Sequence, residues 1–280
     1  MKKFIVLLSL LPFSIPTFGQ TVQQTLAFAH ARFQEQEYTI ASKAYQRVLY
    51  YEKEKYNFEV YHKLGKAYFD LEDFDKSSYY YELAYNVADD DSLKNHLMFN
   101  KISCKLFKHD FQMALMQLLG MDDNLSGYFN KKRIFYLGVT YFGLEQFDKS
   151  KMHFQKIIGD DSNLLAELDE LFVSNNKINK IKPNLAKVLS MFLPGLGQVY
   201  AGNITSGLNS LVLTSSFIAI GAGITLVYTP LDALVAILPW FQRYYTGGYN
   251  NAEVIAQDKI KKKRSLVYQE IVELVEDELN

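Results

Sequence analysis

Aromatic residues recur along the first half of the chain at a nearly constant spacing. Tyr38, Phe74, Phe111 and Phe147 are separated by 36, 37 and 36 residues. Each is followed three positions later by Ala or Ser and seven positions later by Tyr, Leu or Phe. Positions three, four and seven apart lie on one face of a helix. The pattern predicts four helices of one kind, each with a small residue where it crosses a preceding helix.

The preceding helices are clearest in the second and fourth units, where one apolar stripe includes a glycine. The two stripes are Tyr61, Leu64, Gly65 and Tyr68, and Ile134, Leu137, Gly138 and Tyr141. A mid-helix Gly costs about 1 kcal/mol relative to Ala, so its recurrence predicts close contact between paired helices. Stacked hairpins of this kind need a cap, and residues 162–175 are predicted to form a capping helix, with Ser162 as its candidate N-cap.

Both halves together resemble the tetratricopeptide-repeat (TPR) family, whose unit is a helix-turn-helix of about 34 residues. Residues 61–84 match its pattern throughout and residues 134–158 nearly so, whereas Arg32 and Lys105 replace a first-helix aromatic. The resemblance implies a solenoid of about four repeats and a capping helix over residues 20–176, with a concave face that binds a peptide or protein. On this sequence that face comprises His30, Phe33, Glu59, His62, Lys66, Phe69, Asp70, Phe99, Phe107, Lys132, Phe135, Val139 and Phe142.

Acidic clusters lie between successive units, at residues 89–91, 122–123 and 160–161. Several carboxylates on a loop can hold calcium. Asp residues also cap helix N-termini and interact favourably with the helix dipole there. Because the clusters recur at turns, capping is the favoured interpretation.

The N-terminus has the features of a secretory signal. Lys2 and Lys3 precede the apolar run 4–11, and Thr17 and Gly19 are small residues at a candidate cleavage site. Residues 1–19 are therefore interpreted as a signal peptide, with an uncleaved anchor as the alternative. The signal peptide predicts that the repeats lie in the periplasm of a bacterial envelope.

The C-terminal third is apolar, with no charged residue from Val188 to Leu231. Apolar stretches cover residues 185–200, 204–228 and 231–245, and the second is long enough to span a bilayer. The third ends in Trp240, Arg243, Tyr244 and Tyr245, as interfacial anchors do. The pattern predicts a membrane domain over residues 184–250 with two or three apolar segments, in contact with lipid.

A glycine-rich motif lies at the start of this region and carries a second resemblance. Its residues are Pro194, Gly195, Gly197, Gln198, Tyr200, Gly202 and Gly207. They resemble an uncharacterised bacterial membrane domain with an LPGxGQxYxG motif, which is similar to the TM2 family. Tyr200 stands where a GxGxxG nucleotide loop needs Gly, so a break in a membrane-embedded helix is the favoured interpretation.

Residues 251–280 are predicted to form an amphipathic helix that carries a basic run at 259–264. Two membrane passes would return this helix to the side of the repeats. The positive-inside rule instead favours the cytoplasm for the basic run, which needs one or three passes if the repeats are outside. The sequence leaves both topologies open.

Composition and charge exclude several other classes. The net charge of −1 does not suggest nucleic-acid binding, which would favour a strongly basic face. Cys104 is the only cysteine, so it forms no internal disulfide and is interpreted as a small buried residue. The five histidines form no HExxH motif, and no cofactor or small-molecule substrate is predicted.

These observations predict an all-α protein consisting of a TPR solenoid, a membrane-embedded helical hairpin and a C-terminal amphipathic helix. The expected function is that of a non-catalytic, membrane-anchored scaffold for protein partners in the bacterial envelope. Two alternatives stay open. One is a subunit of an oligomeric small membrane channel or transporter, and the other is a cytoplasm-facing, membrane-anchored adaptor if the N-terminus is not a cleaved signal.

Overall fold

The structure is a computed structural model that describes residues 21–279 except 123 and 126, and omits the side chains at 53, 54, 56 and 57. The predicted signal peptide lies outside the described residues. The described chain is all-α and contains no β-strand. It divides into two compact units between Met121 and Asp122.

Unit 1 consists of five helices that pair as successive hairpins. They are α1 (Val22–Gln34), α2 (Tyr38–Asp70), α3 (Phe74–Asn86), α4 (Asp91–Phe107) and α5 (Phe111–Leu119). The long helix α2 is kinked at Glu52, where φ is −138° and ψ is 57°. It therefore serves as the second helix of one hairpin and the first helix of the next.

Unit 2 contains the fourth hairpin, the predicted capping helix and the apolar segments. Its helices are α6 (Gly127–Gly143), α7 (Phe147–Ile158), α8 (Ser162–Ile178), α9 (Pro183–Phe192), α10 (Leu196–Tyr200), α11 (Ile204–Val227) and α12 (Pro230–Glu276). A 3-10 turn over Asp277–Leu279 follows α12. The break predicted at Pro194-Gly195 is confirmed, because α9 ends and α10 begins on either side of it.

The four hairpins close with the same turn. One residue in each turn has a positive φ, between 57° and 61°: Gln36, Glu72, His109 and Glu145. The amide of the following residue donates to the carbonyl five residues earlier, at 2.9 Å in all four cases: Glu37 to Arg32, Asp73 to Tyr68, Asp110 to Lys105 and Gln146 to Tyr141. The sequence repeat is thus a repeat of backbone geometry. It includes the first and third repeats, which lack the first-helix aromatic.

Close contact within the hairpins is confirmed at both glycines. A methyl group on Gly65 would lie 2.6 Å from Cδ1 of Tyr81. The Ser77 hydroxyl donates to the Gly65 carbonyl at 2.8 Å, so the small residue of the second helix also bonds the first helix. The fourth hairpin repeats both contacts with Gly138, Phe154 and Ser150, at 2.7 Å and 2.8 Å.

The capping interpretation of two acidic clusters is confirmed. The Asp90 carboxylate accepts from the Leu93 amide at 2.9 Å at the start of α4. The Asp161 carboxylate accepts from the amides of Asn163 and Leu164 at the start of α8. The prediction of Ser162 as the cap was wrong by one residue, because the carboxylate of Asp161 reaches both free amides.

The prediction of a separate C-terminal helix beginning near residue 251 was wrong. Helix α12 runs without interruption from Pro230 to Glu276, through Gly247 and Gly248. Gly248 serves as a contact point, since a methyl group there would lie 2.7 Å from Oγ of Ser210 on α11. The third apolar segment and the basic tail are therefore parts of one helix, which packs on α11 first and then along α9 and α8.

Helix α11 and the first part of α12 form an antiparallel hairpin connected at Tyr228 and Thr229. The ring of Phe217 stacks on that of Tyr244 at 5.2 Å. Among the described helices, α11 alone is long and apolar enough to cross a membrane, and only 6% of its apolar window is buried. Large apolar side chains on both helices are exposed, including Leu226 at 89% and Val235 at 67%.

Cys104 lies in the core of unit 1, as predicted. Its side chain is 0% exposed, and the Cys104 thiol donates to the Ser77 hydroxyl at 3.2 Å. Burial raises the pKa of this thiol, although the Ser77 hydroxyl opposes the shift. The thiol is therefore protonated at neutral pH and packs as a small core residue.

Candidate functional site: the partner-binding face and the glycine-rich motif

The predicted face begins in unit 1 with a pair of groups from adjacent hairpins. The imidazole Nε2 of His30 on α1 lies 3.1 Å from Oε1 of Glu59 on α2. The other ring nitrogen, Nδ1, lies 2.9 Å from the hydroxyl of the buried Tyr45. Tyr45 thus fixes the orientation of the imidazole, while Glu59 and His30 keep half and one third of their side-chain surface exposed.

Two lysine ammonium groups lie beside the ring of Phe33, the next predicted residue on α1. The Lys63 and Lys66 ammonium groups lie 4.8 Å and 5.9 Å from the centre of the Phe33 ring. His62 lies one position from Lys63, and burial lowers its pKa, with the charges of Lys63, Lys66 and His96 acting in the same direction. His62 is therefore neutral at physiological pH. The group presents cations and an aromatic face beside the Glu59 carboxylate.

The face continues in an aromatic cluster at the ends of the first helices. Phe69 contacts Phe74 and Phe107 with ring-centre distances of 5.4 Å and 5.1 Å. Phe107 is 61% exposed, which leaves an apolar surface open to solvent. Asp70 beside this cluster is exposed and accepts a hydrogen bond from Tyr38, whose pKa is raised by burial and then by Asp70.

Three of the predicted face residues lie in the core instead. Phe99 is 0% exposed, and Val139 and Phe142 are each 8% exposed. The prediction that they line an open face was wrong, because their side chains are buried. Lys132 and Phe135 are only partly exposed. The exposed members of the predicted face all lie in unit 1, and they are Glu59, Lys66, Asp70 and Phe107.

The C-terminal part of α12 covers the corresponding face of the fourth hairpin. The Phe142 ring contacts Phe147, Phe172 and Tyr268 at 5.2, 6.3 and 5.4 Å. Burial raises the pKa of Tyr268, and the nearby Tyr136 adds to the shift. Tyr268 of α12 thus covers Phe142, which the sequence analysis placed on the open face.

Arg264 fastens this tail at its basic run. Its guanidinium pairs with the carboxylate of Glu145 in the hairpin turn and donates to Oδ1 of Asn179 at 2.7 Å. It also lies 5.2 Å from the centre of the Phe147 ring. The sequence analysis missed Arg264 and Tyr268 as site residues, because nothing local distinguishes this arginine from the four lysines in the same run.

The glycine-rich motif forms a tight corner between α9, α10 and α11. Gly195 has a φ of +92°, and a methyl group there would lie 2.1 Å from the Gly207 carbonyl oxygen. A methyl group on Gly197 would lie 1.7 Å from the Ala186 carbonyl oxygen. Gly202 also has a positive φ, +90°. The motif glycines are therefore required by backbone conformation or by backbone approach.

Gln198 connects this corner to α12. It is 0% exposed, and its Nε2 donates to the Gly248 carbonyl at 2.8 Å. Its Oε1 accepts from the Ser190 hydroxyl at 2.7 Å, and that hydroxyl accepts from the Gly197 amide at 2.9 Å. Both ends of the buried Gln198 amide therefore have a hydrogen-bond partner, and such a network favours one arrangement of the helices around it. Ser190 and Gly248 are hydrogen-bond partners of the motif that its spacing alone did not identify.

Tyr200 and Pro194 complete the corner. The Tyr200 hydroxyl accepts from the Lys182 amide at 3.1 Å and donates to the Lys180 carbonyl at 3.4 Å. Pro194 lies half-buried in the turn between α9 and α10. The polar groups of the motif side chains thus form hydrogen bonds within the chain. These bonds hold the helices together at the base of the apolar hairpin.

The described part of the chain contains no group of three or more His, Cys, Asp or Glu side chains arranged to hold a metal ion. In the comparisons with known proteins, no protein-family model, no curated protein and no solved structure matches this chain.

Proposed function

We propose that this protein is a membrane-anchored, non-catalytic TPR scaffold whose open face in unit 1 binds a peptide or protein partner. The observation that carries the proposal is the row of His30, Phe33, Glu59 and Lys66 on adjacent first helices. Exposed charge next to aromatic surface suits an extended peptide or a partner helix. The identical hairpin turns support the TPR assignment.

The membrane anchor in this proposal is the hairpin of α11 and the first part of α12. Its apolar part extends over residues 211–228, which corresponds to about 27 Å at about 1.5 Å per residue. The hydrocarbon core of a bilayer is about 30 Å thick. The exposure of Leu226, Val227 and Leu231 at 69–89% supports lipid contact, since water would not favour so many bare apolar side chains.

A two-pass hairpin puts the fourth repeat and the C-terminal tail on the same side of the membrane. The contact of Tyr268 with Phe142 supports this arrangement, because both lie in unit 2. With a cleaved signal peptide, that side is the periplasm of a bacterial cell. The one- or three-pass topology would separate Arg264 from its partner Glu145.

A cytoplasm-facing adaptor is the second candidate, and the distribution of basic residues favours it. Lysines 177, 180, 182 and 187 precede the hairpin and the run 259–264 follows it, whereas the hairpin tip carries only Asp232. The positive-inside rule prefers the basic flanks in the cytoplasm. This candidate requires that residues 1–19 do not export the chain.

Cysteine labelling with a membrane-impermeant maleimide on spheroplasts distinguishes these possibilities. In a Cys104→Ala background, single cysteines are placed at Lys263 in the tail and at Leu231 at the hairpin tip. Labelling of Lys263→Cys alone supports a periplasmic scaffold, and labelling of Leu231→Cys alone supports the adaptor. Equal labelling of both positions would contradict the two-pass anchor.

Site-specific photo-crosslinking in living cells tests the binding face. A photoreactive residue replaces Lys66 on the face or, as the matched control, the exposed Lys43 on the other part of α2. A defined adduct at position 66 that is absent at position 43 and lost with Glu59→Lys supports the proposal. Adducts at position 43 alone, or at neither position, would contradict it. Adducts only between copies of this chain would instead favour an oligomeric channel or transporter.

A further inference from the structure

An open cavity of about 340 Å³ lies where α10, α11 and α12 meet. Its polar lining includes Gln198, Ser206, Asn209, Ser210, Arg243 and Asn251. Ligand pockets in proteins have volumes of about 300–1,000 Å³. The cavity is therefore large enough for a small polar group, and it is built from three separate helices.

The lining is cationic, with unused hydrogen-bond donors. It contains Arg243 and no Asp or Glu. Gln198 is already bonded at both ends of its amide, and Asn251 donates to Ser206 at 3.2 Å. Arg243 and Asn209 have no side-chain partner among the described residues, which leaves the guanidinium and one amide free to bind an anion.

The cavity also lies at a particular level of the hairpin. Its α11 residues belong to the first turns of that helix, where Leu208 and Val212 are exposed beside the cavity. Arg side chains near the end of a membrane span extend toward the headgroups. Trp240 next to this level is 52% exposed. Exposed Trp and Tyr beside an Arg are typical of the headgroup region of a bilayer.

We propose that this cavity binds the phosphate group of an anionic phospholipid headgroup, with Arg243 as the residue that contacts it. A planar guanidinium matches phosphate oxygens in a bidentate manner, and Asn209 supplies a further donor. No carboxylate in the lining can pair with a choline or ethanolamine cation, which favours a headgroup with net negative charge. The acyl chains would follow the exposed apolar sides of α11 and α12. The inference rests on the membrane anchor proposed above.

The test is native mass spectrometry of the full chain in a nonionic detergent, titrated in parallel with phosphatidylglycerol and phosphatidylcholine. We expect the wild type to prefer phosphatidylglycerol, and Arg243→Gln to weaken that binding about tenfold, the loss of a charge-assisted hydrogen bond. Lys262→Gln is the matched control, because it removes one exposed positive charge of the same helix outside the cavity. It should leave the preference unchanged.

Two results would overturn the proposal. One is an equal loss of phosphatidylglycerol binding in Arg243→Gln and Lys262→Gln, or no loss in either, since general attraction or another site would then explain the binding. The other is displacement of phosphatidylglycerol by equimolar inorganic phosphate, which would identify free phosphate as the ligand. Vesicle flotation of the same proteins measures membrane association, and it therefore tests the anchor separately from the cavity. Flotation without lipid selectivity would refute the cavity alone, and selectivity without flotation would refute the anchor alone.

Discussion

The replacement Gly65→Ala measures how much the close contact of paired helices stabilises the second hairpin. The new methyl group would lie 2.6 Å and 2.7 Å from two ring carbons of Tyr81. The ring has little room to move, because Tyr81 is only 4% exposed. Overpacking of this kind costs about 1–3 kcal/mol, whereas Ala in place of a helical Gly gains about 1 kcal/mol. Contacts this short put the cost of overpacking in the upper part of that range, about 2–3 kcal/mol, so we expect a net destabilisation of about 1–2 kcal/mol.

Hydrogen–deuterium exchange of α2 and α3 in the full chain is the appropriate assay, because it reports local opening in a protein of two units. The expected destabilisation corresponds to exchange about 5–30-fold faster. Gly127→Ala is the control, since no atom lies within 4 Å of its methyl group, and exchange in α6 should not increase. Adding Tyr81→Leu should relieve the clash, so the double variant should lose less than the sum of the single variants. Unchanged or slower exchange in Gly65→Ala would refute the reasoning.

Three further predictions concern titration and the tail. Because burial raises the pKa of Cys104, we expect negligible maleimide labelling of the folded protein at neutral pH and full labelling in denaturant. Burial lowers the pKa of His62 below its usual 6.5, so protonation favours the unfolded state. Exchange in α2, corrected for intrinsic rates, should therefore quicken as the pH falls below 6.5, and His62→Gln should weaken that dependence. Arg264→Gln should speed exchange of the tail after residue 264. The expected loss of local stability is only about 1 kcal/mol, because the pair with Glu145 is partly exposed. Lys263→Gln should not.

The repeat pattern predicted the parts of the fold that depend on neighbouring residues. The aromatic spacing identified the hairpins, and Gly65 and Gly138 identified where their helices touch. Both signals were readable because these contacts form between residues of the same sequence repeat. The all-α class follows from the same periodicity. The extent of α12 did not follow. Gly247 and Gly248 indicate a break locally, yet the contact of Gly248 with Ser210 and Gln198 stabilises a continuous helix there.

The candidate sites were predicted less completely, since their geometry depends on residues far apart in the chain. The motif spacing identified Gly197 and Gln198 but could not identify Gly248 as the acceptor on α12. Family positions placed Phe142 on an open face, although Tyr268 covers it. Such pairings form only when the chain folds back, and a local pattern holds no information about them.

The different positions of Phe69 and Phe142 change which experiment can test partner binding. The two residues occupy equivalent places in their hairpins, but Phe69 adjoins the exposed Phe107, whereas Phe142 is enclosed by Phe172 and Tyr268. The last repeat of an array needs a cap for its apolar face, and α8 and the tail together provide one. Phe142→Ala would therefore leave a cavity that costs about 3–5 kcal/mol, and any loss of binding would follow from loss of structure. A charge reversal at Lys66 disturbs no core contact, so a change in partner binding there would report recognition itself.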